Sequence, residues 1–449
     1  MIPLTPLDDW VGNRISGPGE PALLTRAALS RFQLEKFQGL IDYCRTRSPF
    51  YQRHLARLSG KSIQKWNDLA SLPLTTQGDL QTDSLQFLCV SQSSIERVVT
   101  LPVFAPAVTP RRLFFTREDM EQTVDFFHYG MSTLVGSNDR VLILMPGEKP
   151  DSVGDLLHRG LRRLRVPSLV HGPVLDPVQT VEVVLKNRMT CLVGIPTQVL
   201  ALARCLPGEN RLKGLISTVL LSSDHVSRVL VDILERTWDC TVFSHYGLTE
   251  TGYGGGVECQ ARQGYHLCEA DLHVEIVDPH TGQPLPDGES GEIVVTTLTR
   301  TGMPLIRYRT GDVSRFIPGE CPCGSVLKRL DKVSHSLDRV VLLGPGNFLT
   351  MSQLDEALFP QPGLIDFQVD VTREDDRDSL NILLQLTEGT DSGRLADWTR
   401  ERLTAVPGIY KAVRDGNLVI GNVFSRTGYQ PATGAKKRII NDLRPLHSE

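Results

Sequence analysis

The chain has 449 residues, of which 40% are hydrophobic and 22% are charged, and these values are typical of a globular protein. Its length exceeds what one hydrophobic core usually supports, so we expect two domains. The formal net charge of -4 creates no overall field that would attract a polyanion. We therefore expect neither a nucleic-acid partner nor a membrane partner.

The first half of the chain is predicted to alternate between helices and strands. Apolar residues recur at helical spacing within 26–48, which predicts an amphipathic helix there. Apolar strands separated by helices follow, at 140–146, 168–170, 190–195, 217–223 and 240–246. Strands of this kind are typical of a parallel sheet that is covered on both faces.

The second half is richer in β-structure. The runs 273–278 and 291–298 flank a segment of Pro, Asp and Gly, which predicts an antiparallel hairpin. The segment after 335 predicts a small, mobile C-terminal α+β domain over 336–449, with its hinge at Ser334–Asp338. The predicted fold class is α/β: a large N-terminal domain over 1–335, with mostly parallel sheets and a β-rich subdomain, precedes that C-terminal domain.

The N-terminus lacks the basic and apolar regions of a signal peptide, and the chain has no apolar run long enough to cross a bilayer. Both observations predict a cytoplasmic protein. The nine cysteines are an odd number, and most of them lie in apolar segments, which favours buried free thiols over a disulfide framework.

Two pairs of metal-binding side chains stand apart from the other cysteines. Cys259 precedes His266 by seven positions, and Cys321 and Cys323 flank a proline. Three thiolates and an imidazole form the tetrahedral set that structural zinc prefers, so the pattern predicts a structural Zn²⁺ site. Cys268 is an alternative ligand, provided that the strand after His266 is regular.

Two motifs indicate the chemistry. The first is YGLTE at Tyr246–Glu250, and the second is MPLIRYRTGD at Met303–Asp312. A strand that ends in a turn bearing Thr and Glu, with a second turn ending in Gly-Asp, supplies the hydroxyl and carboxylates that a nucleotide with its Mg²⁺ needs. The pattern indicates an enzyme that activates a carboxylic acid with ATP.

With these motifs the chain resembles the adenylate-forming superfamily, and more narrowly phenylacetate-CoA ligases and coenzyme F390 synthetase-like proteins. Further stretches occur in the family's order, at 48–55, 72–80, 114–120, 291–312 and 321–324. The resemblance implies a ligase that joins a carboxylic acid, with an aryl acid favoured, to CoA through an acyl-adenylate. It implies ATP/AMP, Mg²⁺ and CoA as cofactors and co-substrates, and it leaves a homodimer open.

The resemblance also implies roles for individual residues. The catalytic residues that it implies are Thr249, Glu250 and Lys436, with Glu250 binding Mg²⁺ and Thr249 contacting phosphate. The nucleotide-binding residues that it implies are Tyr246, Gly247, Thr109, Arg309 and Asp312. Tyr246 is expected beside the adenine, and Asp312 is expected to accept hydrogen bonds from the ribose hydroxyls.

The chain departs from the family at the phosphate loop. The family has a loop rich in Ser, Thr and Gly before the stretch that matches 114–120, because glycine lets backbone amides approach the phosphates. Here the matching segment Val103–Pro110 contains no glycine and two prolines. Thr109, Arg111 and Arg112 are the polar residues nearby that could substitute, and we interpret them as a solvated strand edge.

Two further departures lie near the C-terminal domain. The hinge segment His335–Asp338 lacks the arginine that the family has there, and Ala435 separates Gly434 from Lys436 where the family's adenylation lysine follows the glycine directly. A flexible lysine could still serve from the shifted position. The alternatives are a weakened or non-catalytic relative that binds a nucleotide or acyl ligand or acts in assembly, and an enzyme that transfers a nucleotidyl group to a cofactor.

Overall fold

The computed structural model of the protein describes residues 2–17, 24–56, 63–101, 109–205, 210–374, 377–390, 393–431 and 438–445. Within these ranges the α-helices are, in chain order, α1 (Pro6–Ser16), α2 (Arg26–Arg47), α3 (Pro49–His54), α4 (Gln77–Thr82), α5 (Arg117–Ser132), α6 (Val153–Arg163), α7 (Pro177–Asn187), α8 (Pro196–Arg204), α9 (Arg228–Trp238), α10 (Met351–Leu358), α11 (Leu395–Thr404) and α12 (Pro407–Arg414). Short 3-10 helices lie at Trp66–Ser71, Ser84–Phe87 and Gln92–Ser94.

The strands of the same ranges alternate with the helices in the middle of the chain and follow one another in the later part. In chain order they are β1 (Ile95–Thr100), β2 (Arg112–Thr116), β3 (Val141–Ile143), β4 (Ser168–Val170), β5 (Cys191–Gly194), β6 (Thr218–Leu221), β7 (Thr241–Gly247), β8 (Gly255–Glu258), β9 (Tyr265–Leu267), β10 (Leu272–Val277), β11 (Gly291–Thr297), β12 (Tyr308–Ser314), β13 (Arg329–Leu330), β14 (His335–Ser336), β15 (Val341–Leu342), β16 (Phe348–Leu349), β17 (Leu364–Glu374), β18 (Arg377–Leu386), β19 (Leu418–Thr427) and β20 (Ile440–Asp442).

Helix starts are set by side-chain caps that the sequence supplies. The predicted amphipathic helix over 26–48 is confirmed as α2, where the Thr25 hydroxyl accepts a hydrogen bond from the Ala28 amide at 3.2 Å. At α5 the cap is reciprocal, since Thr116 and Asp119 each accept a hydrogen bond from the other's amide. Such caps satisfy amides that otherwise have no partner within the helix.

The chain divides into two compact units. The first unit comprises Met1–Asn138, Gly147–Ser168 and Phe243–Val333, and the second comprises Asp139–Pro146, Leu169–Val242 and Ser334–Glu449. One of the breaks therefore lies between Val333 and Ser334, immediately before the predicted hinge Ser334–Asp338. Whether residues 336–449 move as a separate domain stays a prediction.

The first unit contains antiparallel β-structure. Strand β7 pairs with β8, β8 with β9, and β9 with β13, all antiparallel. A second group has β10 antiparallel to β11 and β11 antiparallel to β12. The hairpin predicted from the Pro, Asp and Gly between the two apolar runs is thus confirmed as β10–β11.

The second unit contains the predicted parallel strands. Strand β3 pairs parallel with β5, and β5 pairs parallel with β6. A four-stranded sheet of the order β19-β18-β17-β20 forms another layer, and buried side chains of both layers belong to one hydrophobic core. The α/β fold class is confirmed. None of the helices in the described ranges combines the length and the apolar character that a bilayer crossing requires.

One largely buried arginine ties three segments of the second unit together. The Arg438 guanidinium donates to Asp355 at 2.8 Å, to Asp224 at 3.1 Å and to Asp366 at 3.5 Å. The Asp355 side chain is 0% exposed, and burial raises the pKa of its carboxyl to about 7 despite the nearby arginine. Arg438 therefore joins α10, β17 and the segment before α9 to the strand β20 that follows it.

Replacement of Arg438 by Met should lower the free energy of unfolding by about 3–5 kcal/mol, because buried carboxylates would lose their cation. Urea denaturation measures this loss. Arg414→Met is the control, since the Arg414 side chain is 62% exposed beside Asp415, and it should cost no more than about 0.5 kcal/mol. Equal stability of the two variants would show that the Arg438 cluster does not hold the unit together.

The pH dependence of stability should also follow from Asp355. Its folded-state pKa of about 7 lies above the ordinary value of 3.8, so the folded protein keeps a proton that the unfolded chain releases. This contribution to stability is present at acidic pH and is lost as the pH rises through the folded pKa. Asp355→Asn should therefore flatten the fall in stability between pH 4 and pH 7.

Candidate functional site

The segment Tyr246–Glu250 leads from the end of β7 into the turn that connects β7 to β8. This turn requires glycine at position 247. Gly247, the last residue of β7, pairs with Gly255 of β8. A Cβ atom on Gly247 would lie 2.4 Å from the carbonyl oxygen of Tyr253, which is closer than real Cβ atoms approach. The amide of Tyr253 donates to the carbonyl of Leu248 at 2.7 Å, so the chain reverses direction immediately after the strand.

Buried polar side chains hold this turn from outside. The Thr123 hydroxyl of α5 donates to the carbonyl of Gly252 at 2.8 Å. The Arg300 guanidinium, 7% exposed, donates to the carbonyl of Thr251 at 2.9 Å and to the Thr123 hydroxyl at 3.1 Å. The turn that carries Thr249 and Glu250 is therefore fixed before any ligand binds, which lowers the ordering cost of binding.

Glu250 is the centre of a three-residue hydrogen-bonded group. Its Oε1 accepts from the Tyr308 hydroxyl at 3.0 Å and from Arg111 Nη1 at 3.2 Å, and Arg111 Nη1 also donates to the Tyr308 hydroxyl oxygen at 2.9 Å. The Glu250 side chain is 11% exposed and the Arg111 side chain 16%. Burial raises the pKa of Tyr308 well above its ordinary value, so its hydroxyl stays protonated and remains a donor.

Tyr246 and Asp312 form a second polar contact. The Tyr246 hydroxyl donates to Asp312 Oδ2 at 3.3 Å, and the Asp312 amide donates to the Thr310 hydroxyl at 3.1 Å. Asp312 is 3% exposed, and burial raises the pKa of Tyr246 well above its ordinary value, with the Asp312 charge adding to the effect. Two predicted nucleotide-binding residues are thus brought together.

Strand periodicity separates Arg309 from this group. Successive side chains of a strand point to opposite faces, so Tyr308 and Arg309 lie on opposite faces of β12. Arg309 Nε donates to Glu292 Oε2 at 2.8 Å, and its Nη2 donates to the carbonyl of Pro279 at 2.8 Å. The structure does not bring Arg309 to Glu250, and its predicted nucleotide contact stays a prediction.

Some of the other predicted residues lie within the part of the chain that the structure describes, and some lie outside it. Thr249 lies half-buried in the turn beside Glu250, and Thr109 is exposed. Arg112 is exposed on β2, as expected of a solvated strand edge, whereas Arg111 is not, because it is paired with Glu250. Lys436 and most of the segment Val103–Pro110 lie outside the described residues.

The predicted zinc ligands come together. One ligand atom from each of four buried residues lies within 4.8 Å of the others, and these residues are Cys259, His266, Cys321 and Cys323. The Sγ atoms of Cys259 and Cys321 are 3.7 Å apart, and Cys323 Sγ is 3.4 Å from His266 Nε2. The alternative ligand Cys268 lies elsewhere, since its thiol contacts Asp271 Oδ2 at 3.8 Å.

Comparisons with known proteins agree with this site. Residues 166–299 match the family model described as AMP-binding enzyme. The phenylacetate-coenzyme A ligase of Escherichia coli (strain K12) is 26% identical over 373 residues, and the match covers 81% of this chain and 83% of that protein. These matches support the resemblance to phenylacetate-CoA ligases that the motifs indicate. Over 153 residues, the chain is 37% identical to the phenylacetate-coenzyme A ligase of Aromatoleum evansii, covering 33% and 34% of the two proteins.

Solved structures show the same fold. The 2-hydroxyisobutyryl-CoA ligase in its postadenylation state with 2-HIB-AMP matches with a TM-score of 0.78 at 18% identity, over 96% of this chain and 92% of that one. The anthranilate CoA ligase AuaEII with anthranoyl-AMP matches with a TM-score of 0.56 at 14% identity, over 97% and 89% of the two chains. The fold of these two ligases therefore extends over nearly the whole chain.

Sequence reasoning missed Tyr308 and assigned Arg111 to a solvated edge. Tyr308 lies inside the second motif, four residues before Asp312. Its place inside the motif was a usable signal for Tyr308. For Arg111 no local signal exists, because its partner Glu250 is 139 residues away in the sequence.

Arg309→Met should lower the free energy of unfolding by about 1–3 kcal/mol, because Glu292 is 2% exposed and would lose its charged partner. Urea denaturation measures this. Arg117→Met, which removes a side chain that is 81% exposed beside Glu96, is the control and should be nearly neutral. AMP calorimetry on folded Arg309→Met protein separates the roles, since a large loss of affinity would favour the predicted nucleotide contact over a structural one.

Proposed function

We propose that the protein is an ATP-dependent acid-CoA ligase that activates a carboxylic acid as an acyl-adenylate and transfers the acyl group to CoA. The observation that carries this is the rigid turn that presents Glu250 beside Tyr308 and close to the Tyr246–Asp312 pair. Relatives that match 81% of the chain are named phenylacetate-coenzyme A ligases, which supports the same chemistry here.

The reaction converts a poor electrophile into a good one. A carboxylate oxygen of the acid attacks the α-phosphorus of ATP, the bond from that phosphorus to the bridging oxygen breaks, and pyrophosphate leaves. The sulfur of CoA then attacks the acyl carbonyl carbon, the bond to the phosphate oxygen breaks, AMP leaves, and the thiol proton is released. Positive charge near the phosphates stabilises both the attack and the departure of pyrophosphate.

The residues of the site fit these demands. Glu250 would hold Mg²⁺, because both contacts described for its carboxylate meet Oε1, and Oε2 is the remaining oxygen for a hard cation. The metal supplies neutralisation of the phosphate charge. Asp312, held by Tyr246, would accept hydrogen bonds from the ribose hydroxyls, and Thr249 would contact phosphate. Lys436 would supply a cation in the adenylation step, as the resemblance implies.

The surroundings of His245 support an aryl acid. The ring of His245 packs 5.8 Å from the ring of Phe126 and 6.4 Å from that of Phe127. Burial lowers the pKa of His245 to about 4, so the imidazole is neutral at physiological pH and forms part of a buried aromatic cluster. Aromatic side chains gain stabilisation by packing against another ring, which favours an aryl group over an aliphatic chain of equal size.

The test is release of AMP and pyrophosphate from ATP, with CoA present and a panel of aryl and short aliphatic acids. We expect acid-dependent AMP release, highest with an aryl acid. Glu250→Gln should lower turnover at least about 100-fold, because a neutral amide holds Mg²⁺ poorly. Glu289→Gln changes an exposed carboxylate away from the site and should leave turnover unchanged.

Two outcomes would contradict the ligase. If no acid releases AMP while calorimetry shows nucleotide binding, the protein is a non-catalytic relative, an alternative that the altered phosphate segment favours. If no thioester forms, the acyl group goes to another acceptor when AMP is released, and the nucleotidyl group goes to another acceptor when only pyrophosphate is released. Mass spectrometry of the products distinguishes the two.

We also propose that Cys259, His266, Cys321 and Cys323 hold a structural Zn²⁺. Zinc–sulfur bonds of about 2.3 Å in a tetrahedron require sulfur atoms roughly 3.8 Å apart, and the observed Cys259–Cys321 separation of 3.7 Å agrees. Burial raises the pKa of Cys259 to about 12 and lowers that of His266 to about 4. A metal cation would compensate the cost of buried thiolates, and the neutral imidazole is already the form that binds it.

Purified protein should contain one equivalent of zinc by elemental analysis. Cys323→Ser should lose most of that zinc and should lower the melting temperature by several degrees, because the loop at Cys321 would no longer be held to β9. Cys205→Ser, a half-buried thiol outside the cluster, is the control and should keep the metal. Metal-free wild-type protein with an unchanged melting temperature after chelation would refute the zinc site.

A further inference from the structure

Arg111 occupies an unusual place in this chain. It follows a segment, Val103–Pro110, in which the family's glycines are missing and prolines remove amide donors. Its own backbone is held at the beginning of β2, because its carbonyl accepts from the Leu101 amide at 2.9 Å. The side chain is therefore presented from a fixed position that immediately follows the altered phosphate segment.

The side chain turns towards Glu250 instead of towards solvent. The neighbouring Arg112 is exposed, whereas the Arg111 side chain is 16% exposed. An arginine loses rotamer freedom and hydration when it is held this way, so the contact needs compensation. Tyr308 and Glu250 provide it, with Nη1 donating to the hydroxyl oxygen at 2.9 Å and to the carboxylate at 3.2 Å.

The guanidinium keeps further donors. In the part of the chain that the structure describes, both contacts of the Arg111 guanidinium use Nη1. Nε and Nη2 are two parallel donors on one edge of a planar, permanently charged group, and this edge matches two phosphate oxygens. The group lies beside Glu250, the carboxylate that we propose holds Mg²⁺, and the phosphates of a Mg²⁺-bound nucleotide lie next to its metal.

We propose that Arg111 binds the β- and γ-phosphates of ATP and replaces the missing glycine-rich loop. The Arg111 side chain then supplies the hydrogen-bond donors that backbone amides of the glycine-rich loop supply in the family. Tyr308 orients the Arg111 guanidinium. Arg111 is a catalytic residue in this scheme, since it contacts the pyrophosphate that leaves. The proposal rests on the proposed function for the identity of the nucleotide, and it adds a residue that the resemblance does not provide.

The test compares nucleotides that differ in phosphate number. Arg111→Met should weaken binding of Mg²⁺-ATP about 10- to 100-fold, because charge-assisted hydrogen bonds to phosphate are lost. Binding of AMP should change less than about threefold, because AMP lacks the β- and γ-phosphates. Arg111→Lys keeps the charge without the paired donors and should fall between wild type and Arg111→Met. Arg112→Met is the matched control and should bind both nucleotides as the wild type does.

The two half-reactions give a second measure. In Arg111→Met, acid-dependent exchange of pyrophosphate into ATP should fall at least tenfold, whereas thioester formation from added acyl-adenylate and CoA should not, since no pyrophosphate takes part. Circular dichroism and the melting temperature check that the variant is folded. If Arg111→Met does not fold, Arg111→Gln and Arg111→Lys carry the comparison.

The outcomes separate this proposal from the ligase proposal. Equal losses of ATP and AMP affinity, or no loss of either, would overturn the role of Arg111 even if the wild type is an active ligase. Conversely, wild-type protein that releases no AMP with any acid, but loses ATP affinity selectively in Arg111→Met, would refute the ligase and retain the phosphate-binding arginine.

Discussion

The close approach between Gly247 and the Tyr253 carbonyl constrains the whole site. Because a Cβ atom would come within 2.4 Å of that oxygen, the hairpin of β7 and β8 closes only with glycine at this position. The tight closure brings the chain directly from a buried strand into the turn with Glu250. Arg300 and Thr123 then hold the turn, so Glu250 reaches Tyr308, which lies 58 residues further along the chain.

A carboxylate that is to bind a metal must stay ionised although it is largely buried. Desolvation disfavours its charge, and a nearby cation or hydrogen-bond donor restores it. Glu250 accepts hydrogen bonds from two such donors, Arg111 and Tyr308. A glycine-rich loop binds phosphate with backbone amides that are already in place, whereas an arginine must be held by neighbours. The Tyr308 hydroxyl is such a neighbour, because it accepts a hydrogen bond from Arg111 and so orients the guanidinium.

Much of the local structure was predictable because it depends on nearest neighbours in the sequence. The amphipathic pattern of α2, the buried strands β3, β5 and β6, and the turn residues between β10 and β11 are short-range signals, and all were confirmed. The grouping of Cys259, His266, Cys321 and Cys323 was predictable for a different reason. Cysteine and histidine are rare enough that two pairs in distant segments suggest one shared metal ion. The sequence spacing could not exclude Cys268 as a ligand.

The amino-acid sequence by itself determined the strand and helix pattern, the glycine-dependent turn and the chemical types available at the site. The tertiary structure alone decided which of those side chains meet. Arg111 and Arg112 are adjacent and chemically identical, yet one pairs with Glu250 and the other is exposed. Arg309 and Tyr308 are also adjacent, and their side chains lie on opposite faces of β12. The reason is physical, since partners more than a hundred residues apart are selected by packing and by desolvation, which no local pattern contains.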